Sequence, residues 1–374
     1  MSTQSVTVDL RSDTVTKFTE NMKKAMISAE VGDDVFGEDP TVNMLEKKVA
    51  ELLQKEASVF VPSGTMANLI AIMVHCNKRG AEMICGDKSH IAKSELGGAS
   101  HVAGVYVSTL RNLADGTFDL NELTYCIRSS DIHEPITTLI AVENTHNFCG
   151  GRVLPLEWLD KLAEIAKKNS LLLHMDGSRL FNASEYSKTE PHRIVRDFDS
   201  VSICFSKGLG APVGAALAGT RRFVEQARRL RKMLGGGMRQ VGVLAAAAIV
   251  GLDDIIPCLY SDHKRAHFLA KAIHDLKLKT FSVDINNQQT NIINVNISDQ
   301  SSLTSSKVVS RMCTVTESEL SGDCKNSNNN GIIVKASGKH PKVIRFVLHY
   351  DVNDEELKLA VKKICFVLKE QDRL

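Results

Sequence analysis

The chain has 374 residues, of which 43% are hydrophobic and 24% are charged, as in an ordinary globular protein. This length suffices for one large domain and a smaller one. The formal net charge of +2 is too small to favour binding to nucleic acid or to an acidic membrane surface. The nine cysteines are odd in number and never spaced as CxxC, so we expect reduced thiols rather than disulfides or zinc ligands.

The opening of the chain, MSTQSVTVDL, is polar and contains neither a signal-peptide core nor an Arg-rich transit pattern. No run approaches eighteen apolar residues, so the sequence predicts no membrane span. We therefore expect a cytoplasmic protein that binds neither nucleic acid nor a membrane.

The first helix and strand that the pattern predicts lead into a possible anion site. Residues 43–55 carry apolar side chains on one helical face, and Val59–Pro62 form a short strand before Ser63-Gly64-Thr65 and an apolar helix. Backbone N–H groups at the start of that helix, with the two hydroxyls, would suit a phosphate. The same tripeptide also serves as a simple helix N-cap, and the pattern alone does not separate the two.

Strand and helix continue to alternate through the first 252 residues. Strands are predicted at 81–85 and 139–142, and a helix at 157–168, before two further strands that end near residues 176 and 206. Alternation at this spacing predicts a mainly parallel sheet with right-handed crossovers.

The last two of these strands end in reactive side chains. Residues 171–176 are apolar up to Asp176, and Ser200–Ser206 lead directly into Lys207. Ligands of open α/β sheets bind outside the carboxyl ends of the strands, so Asp176 and Lys207 are expected to face one pocket. A lysine that forms an imine with an aldehyde, and an aspartate that keeps a ring nitrogen protonated, are the requirements of pyridoxal phosphate. The alternative is that Lys207 is an ordinary surface lysine.

Two other kinds of site are disfavoured. The glycines after Lys207 are spaced GxGxxxG and lead into a strand at 215–219, so they lack the dinucleotide fingerprint. His174 and Asp176 share one strand face, but no third ligand is evident, and no metal site is predicted.

The sequence changes character after residue 252. A basic helix at 221–233 and a small-residue helix at 243–252 close the first part, which we assign to a large domain, 1–252. The remainder, 253–374, predicts a smaller α+β domain. It has helices at 263–276 and 354–370, strands near 291–295 and 343–350, and a mobile polar surface loop at 316–330.

Seven motifs, in this order, resemble those of the L-threonine aldolases of the low-specificity type, which are pyridoxal-phosphate enzymes of fold type I. They are LRSDTVT, VGDDVFGEDPTVN, PSGTMAN, ENTHNFCGG, HMDGSRLFNA, SKGLGAPVGA and LGGGMRQVG, between residues 9 and 251. The resemblance implies an α/β, aspartate aminotransferase-like large domain with a mainly parallel sheet. It also implies a homotetramer, a dimer of dimers, with active sites between subunits.

The resemblance also implies roles for individual residues. Lys207 is expected to bond covalently to the cofactor aldehyde, and Asp176 to contact its ring nitrogen. Other cofactor-binding residues are then Gly64 and Thr65 at the phosphate, His90 stacked on the ring, Arg179, and Arg239 at a neighbouring subunit's phosphate. Ser12, Arg179 and Arg345 are expected to bind the substrate carboxylate, which an arginine contacts with two parallel hydrogen bonds.

The function that the resemblance implies is cleavage of L-threonine and L-allo-threonine to glycine and acetaldehyde, in threonine catabolism and glycine biosynthesis. We expect His146 to act as the base, because a near-neutral imidazole suits proton transfer near pH 7, and His90 is its competitor. Two alternatives remain open. One is another fold type I enzyme, a β-eliminating lyase or an aminotransferase, and the other is a protein that binds pyridoxal phosphate without significant catalysis.

Overall fold

The structure is a computed structural model that describes residues 5–129, 131–322 and 324–373. Its strands, in chain order, are β1 (Val6–Asp9), β2 (Ala57–Val61), β3 (Ala81–Gly86), β4 (Tyr106–Leu110), β5 (Ile136–Glu143), β6 (Leu172–Asp176), β7 (Ser200–Cys204), β8 (Ala215–Gly219), β9 (Phe281–Val283), β10 (Ile292–Ile297), β11 (Ile332–Lys335), β12 (Ser337–His340) and β13 (Val343–Val347).

The α-helices are α1 (Glu20–Ile27), α2 (Pro40–Leu53), α3 (Gly64–His75), α4 (His90–Lys93), α5 (Gly98–His101), α6 (Leu120–Cys126), α7 (Leu156–Lys168), α8 (Leu180–Ser187), α9 (Pro191–Ile194), α10 (Arg221–Met233), α11 (Gly242–Val250), α12 (Leu259–His274), α13 (Ser305–Met312), α14 (Glu317–Ser321) and α15 (Asp354–Asp372).

Two compact units make up the described chain. The larger unit is Lys17–Pro257, and the smaller one joins the residues up to Thr16 to those from Cys258 onwards. The sequence predicts a division after residue 252, with the N-terminal segment in the larger domain. In the structure that segment belongs to the smaller unit, because β1 pairs in parallel with β11 and Leu10 is buried in that unit's apolar core.

The larger unit is built on a seven-stranded sheet in the order β2-β8-β7-β6-β5-β3-β4. Neighbours from β7 to β4 pair in parallel, whereas β8 is antiparallel to both β7 and β2. The predicted mainly parallel sheet is confirmed. Every residue of β7 and β8 is buried, as expected of strands that are covered on both faces.

The register of this sheet brings three strand ends level with one another. Glu143, the last residue of β5, lies opposite Asp176, and Asp176 lies opposite Ser202 of β7. β7 ends at Cys204, and Lys207 follows in the next loop. The carboxyl ends of β5, β6 and β7 therefore form one edge, which is where ligands of open α/β sheets bind.

The basic helix α10 has the bounds that the sequence predicts, and part of its charge is buried. Arg231 is only 4% exposed and pairs with the buried Asp34 at 2.7 Å, while it donates to the carbonyl of Phe60 at 2.6 Å. The apolar side of α10 packs with α3 against β2 and β8. The helix is thus anchored to the sheet by apolar contacts and by a buried ion pair.

The smaller unit has the α+β composition that the sequence predicts. Its four-stranded antiparallel sheet has the order β12-β13-β10-β9, and β1 and β11 form a separate parallel pair. The apolar core of this unit contains Ile293, Val295, Ile344, Phe346 and Ile364, which are all buried.

One expectation for this unit is wrong in part. The sequence predicts a mobile polar loop over 316–330, of which residue 323 lies outside the described residues. The structure forms α14 over Glu317–Ser321, with Thr316 and Glu319 completing a capping box at its start, whereas the described residues that follow up to 330 form turns and irregular chain. Glu319 is fully buried, and its ion pairs with Lys363 at 2.5 Å and with Arg311 at 3.0 Å offset the cost of burying its charge.

One helical stretch of the described chain, 242–274, is long and apolar enough to cross a membrane. That test uses length and composition alone, and half of the apolar window is buried inside the protein. Core helices of globular proteins pass the same test, so this stretch by itself is weak evidence for a membrane span.

The Lys363–Glu319 pair makes a prediction for stability. Lys363→Ala should lower the free energy of unfolding by about 3–5 kcal/mol, because it leaves a buried carboxylate without one of its two cationic partners. Lys358→Ala, on the same helix but in an exposed pair with Glu355, should change it by less than about 0.5 kcal/mol. Urea unfolding followed by circular dichroism measures both. A loss below about 1 kcal/mol for Lys363→Ala would contradict the view that the buried Lys363–Glu319 pair stabilises the fold.

Candidate active site

Lys207 lies in the loop between β7 and β8, as the sequence predicts. The side chain of Lys207 is half-buried, and the backbone carbonyl of this residue accepts a hydrogen bond from the Gly210 N–H at 2.9 Å. Gly210 and Gly214 have φ angles of 74° and 105°, and a Cβ on Gly214 would lie 2.5 Å from the Phe60 ring. Two glycines are therefore needed for the chain to turn after the lysine and return into β8.

Asp176 is a buried carboxylate, 2% exposed, that stays ionised. Burial by itself raises its pKa, but the charge of Lys207, hydrogen bonds from Ser178 and Asn68, and His90 more than offset that effect and hold the pKa below its ordinary value. Oδ1 accepts from the Ser178 hydroxyl at 2.7 Å, and Oδ2 from Asn68 at 2.9 Å. Lys207 is thus close enough to Asp176 for its charge to lower the pKa of that carboxyl.

Asn68 of α3 is a site residue that the sequence does not single out. Its amide nitrogen donates to Asp176 Oδ2 and to Glu95 Oε1, both at 2.9 Å. The side chain is 1% exposed. The one signal in the sequence is a lone amide within an otherwise apolar helix.

His90 and Glu95 form a hydrogen-bonded pair beside Asp176. His90 Nδ1 lies 2.8 Å from Glu95 Oε1, and the backbone N–H of His90 donates to Glu143 at 2.7 Å. The bond to Glu95 is the main reason that the pKa of His90 is raised. The pKa of Glu95 is also raised, first by burial and then by the charge of Asp176. The geometry holds the imidazole in one orientation and favours its charged form.

Ligand atoms of His90, Glu95 and Asp176 all lie within 4.8 Å of one another, which is close enough to hold a metal ion. The sequence predicts no metal, and it considers His174 with Asp176 rather than this group. Hydrogen bonds from Asn68 to both carboxylates, and between His90 and Glu95, already account for the closeness of the three residues. We assign no ion to them.

The turn before α3 lies against the end of β7. Ser63 is the N-cap, since its hydroxyl accepts from the Met66 N–H at 3.2 Å. A Cβ on Gly64 would lie 2.6 Å from the sulfur of Cys204, so only glycine allows this close approach. The N-cap interpretation is therefore correct, and it leaves the backbone N–H groups at the start of a twelve-residue helix beside the Asp176 strand end.

His146 and Arg179 lie beyond the ends of β5 and β6. His146 is 1% exposed, and neither ring nitrogen has a hydrogen-bond partner within the described ranges. Arg179 Nη1 donates to Asn147 Oδ1 at 3.4 Å, and the Asn147 N–H donates to Glu143 at 2.9 Å. Glu143 therefore fixes both the His90 segment and the segment that carries His146, although the sequence does not identify it as a site residue.

Three further predicted site residues are described by their own contacts. Arg239 is exposed and pairs with Asp33 at 2.7 Å. Ser12 caps a short 3₁₀ helix in the smaller unit. Arg345, on β13 of the same unit, donates to the carbonyl of Arg11 at 3.3 Å and is thus a neighbour of Ser12.

These residues fit pyridoxal phosphate. Its aldehyde requires an amine such as Lys207, and its ring nitrogen requires a carboxylate that stays ionised, as Asp176 does. Its phosphate requires an anion site, which the turn at Gly64 provides because it has no Cβ and begins a helix. A lysine and a buried carboxylate at the carboxyl ends of a mainly parallel sheet are the arrangement of the fold type I enzymes.

Comparison with known proteins defines the family. Residues 9–299 match the family model described as beta-eliminating lyase. The chain is 46% identical to the probable low-specificity L-threonine aldolase 2 of Arabidopsis thaliana, over 96% of either chain. It is 40% identical to the low specificity L-threonine aldolase of Escherichia coli (strain K12), over 94% of this chain and 96% of that one. The chain therefore belongs to the beta-eliminating lyase family and, within it, to the low-specificity L-threonine aldolases.

A solved structure supports the same fold. The threonine aldolase of Leishmania major superposes with a TM-score of 0.75 over 97% of this chain and 99% of that one. The two sequences are 19% identical, so this likeness shows the fold alone. The predicted fold type I architecture is confirmed.

The His90–Glu95 pair makes a prediction for titration. Glu95→Gln should lower the pKa of His90, because it removes the carboxylate that raises that pKa. In the native chain the pair stabilises the fold fully below about pH 6.5, and this contribution is lost as the pH rises through the raised pKa. NMR titration of histidine labelled with carbon-13 measures the change, with the exposed Glu164→Gln as control. An unchanged His90 titration in Glu95→Gln would show that another group raises its pKa.

Proposed function

We propose that this enzyme cleaves L-threonine and L-allo-threonine to glycine and acetaldehyde, a retro-aldol reaction that breaks the Cα–Cβ bond. One observation carries the proposal: Lys207 lowers the pKa of the buried Asp176 at neighbouring strand ends, in a chain that aligns over almost its whole length with low-specificity L-threonine aldolases. The enzyme is thus a carbon–carbon lyase.

The cofactor is pyridoxal phosphate, which when bound accepts the electrons of the breaking Cα–Cβ bond. Lys207 would hold its aldehyde carbon, and Asp176 would hold a proton at its ring nitrogen. Gly64 and Thr65 would bind the phosphate through the N-terminus of α3. His90 is proposed to stack on the ring, and its bond to Glu95 supports this role because it fixes the plane of the imidazole.

Arg179 and Arg239 complete the proposed cofactor site. The near-complete burial of Arg179 at the start of α8 supports a role close to Asp176. Arg239 is exposed and paired with Asp33, which fits a residue that serves the phosphate of a neighbouring subunit.

His146 is the proposed base for the β-hydroxyl proton. Its ring is buried, and neither nitrogen is engaged by another described residue, so one of them is available to accept a proton. His90 is the weaker candidate, because its bond to Glu95 favours the protonated form, which has no free lone pair to offer. A water molecule would serve to relay the proton if the substrate hydroxyl lies beyond direct reach.

Ser12, Arg179 and Arg345 are the proposed ligands of the substrate carboxylate. Arg345 donates to the carbonyl of the residue before Ser12, which supports a joint role for these two. A guanidinium suits this task because its planar group meets both carboxylate oxygens.

The assembly and the compartment are further parts of the proposal. We infer a homotetramer, a dimer of dimers with active sites between subunits, acting in the cytoplasm in threonine catabolism and glycine biosynthesis. Apolar side chains on the surface of the larger unit support an assembly, since Leu96 and Phe36 are 100% and 74% exposed.

Purified protein supplied with pyridoxal phosphate should release glycine and acetaldehyde from L-threonine in equal amounts. Lys207→Ala should lose both this activity and the visible absorbance of the bound cofactor, because the amine that holds the aldehyde is gone. Lys161→Ala, an exposed lysine on α7, should keep both. 2-Oxobutanoate and ammonia in place of acetaldehyde would indicate a β-eliminating lyase. 3-Hydroxy-2-oxobutanoate, formed only when an acceptor keto acid is added, would indicate an aminotransferase, and none of these products would indicate binding without catalysis.

Replacing each of the two histidines in turn by asparagine tests which one is the base. His146→Asn should lower kcat by about 10²- to 10⁴-fold with little change in KM, as expected on loss of a general base. The exposed His133→Asn should retain full activity. A loss of this size in His90→Asn, together with an active His146→Asn, would transfer the role to His90.

A further inference from the structure

We infer that His174 is a positioning residue for the cofactor site, and that it acts by holding the Asn68 amide in the one orientation that serves both Asp176 and Glu95. The inference rests on the proposed function, in that it concerns the same cofactor. His174 reaches the site through its Nε2, which lies 3.1 Å from the Asn68 oxygen.

The Asn68 amide uses every hydrogen-bonding position that it has. Its nitrogen donates to Asp176 Oδ2 and Glu95 Oε1, each at 2.9 Å. Its oxygen accepts from the Ser202 hydroxyl at 2.8 Å and lies 3.1 Å from His174 Nε2. Two carboxylates cannot donate, so the nitrogen must face them and the oxygen must face His174.

This orientation fixes the proton on His174. Because Nε2 faces the Asn68 oxygen, it must carry the hydrogen, and Nδ1 must then accept from the Ser200 hydroxyl, 2.8 Å away. Burial lowers the pKa of His174 to about 4, so the ring is neutral and holds a single proton. That proton lies on the nitrogen that serves Asn68.

The chain of hydrogen bonds continues outward by two residues. Ser200 uses its only hydrogen on His174, so its oxygen accepts from His75 Nε2 at 2.7 Å. Burial lowers the pKa of His75 to about 3, and its ring stacks on Phe223 with centroids 4.8 Å apart. Every hydrogen from His75 to the two carboxylates therefore points in one direction, and each member is at most 9% exposed.

The consequence for the site is electrostatic. If the Asn68 amide turned over, its oxygen would face Asp176 and Glu95, and both carboxylates would lose a donor within a buried region. Asp176 would then be less able to stay ionised beside Glu95, and ionised Asp176 is what the cofactor's ring nitrogen requires. His174 prevents that rotation because its Nε2–H donates and therefore requires an acceptor, the Asn68 oxygen, opposite it.

Two amide substitutions test the inference as a matched pair. His174→Gln reaches far enough to donate to Asn68 from the position of Nε2, whereas His174→Asn is one methylene shorter and does not. His174→Asn should weaken binding of pyridoxal phosphate to the cofactor-free enzyme by about tenfold or more, and lower kcat by a similar factor with little change in KM. His174→Gln should keep both within about threefold of the native values.

The readouts separate positioning from a structural role. The dissociation constant is measured by absorbance titration with pyridoxal phosphate, and thermal unfolding of the cofactor-free variants checks the fold. Equal losses in the two variants, or native affinity in both, would overturn the inference. Should both fail to fold, nitrogen-15 NMR of His174 in the native enzyme gives its tautomer directly, and a proton on Nδ1 in place of Nε2 would overturn the inference equally. Failure of the native enzyme to release acetaldehyde would reject the proposed function instead, since the affinity comparison does not depend on the reaction.

Discussion

The structure depends on keeping one carboxylate ionised where almost no solvent reaches it. Asp176 is 2% exposed, and burial alone would favour its neutral form. Lys207, Ser178 and Asn68 each offset that cost, and each comes from a different element: the loop after β7, the turn after β6, and helix α3. Moving any of these three side chains away would remove a group that lowers the pKa of Asp176.

The same requirement explains why the polar groups of the larger unit are linked. Asn68 joins Asp176 to Glu95, and Glu95 orients His90. Glu143 in turn fixes the backbone of the His90 segment and of the segment that contains His146. A change at Glu143 would therefore affect the segments of both histidines. The two imidazoles differ in their partners. Glu95 favours the charged form of His90, whereas neither ring nitrogen of His146 has a hydrogen-bond partner among the described residues.

The sheet edge and the family could be predicted from the sequence, because apolar runs and the polar residues that end them locate the ends of buried strands. Apolar runs that stop at Asp176 and before Lys207 locate the active edge of a parallel sheet, and the motif order identifies the family. Asn68 could not be found in this way, since three of its four hydrogen-bond partners are more than 100 residues away and depend on how α3 is rotated against the sheet. The helix α14 within 316–330 was missed for a related reason. The polar composition of that segment does not show that Glu319 is buried, because its partner Lys363 lies on a helix that is distant in the sequence.

The central claim is that Lys207, beside an ionised Asp176, is the residue that holds the cofactor. Borohydride reduction of the protein with bound pyridoxal phosphate makes that link permanent, and mass spectrometry of the peptides then locates it. We expect the added pyridoxyl group on the peptide that contains Lys207 and at no other lysine. A label on a different lysine, or no label on a protein that binds the cofactor, would contradict this account of the site.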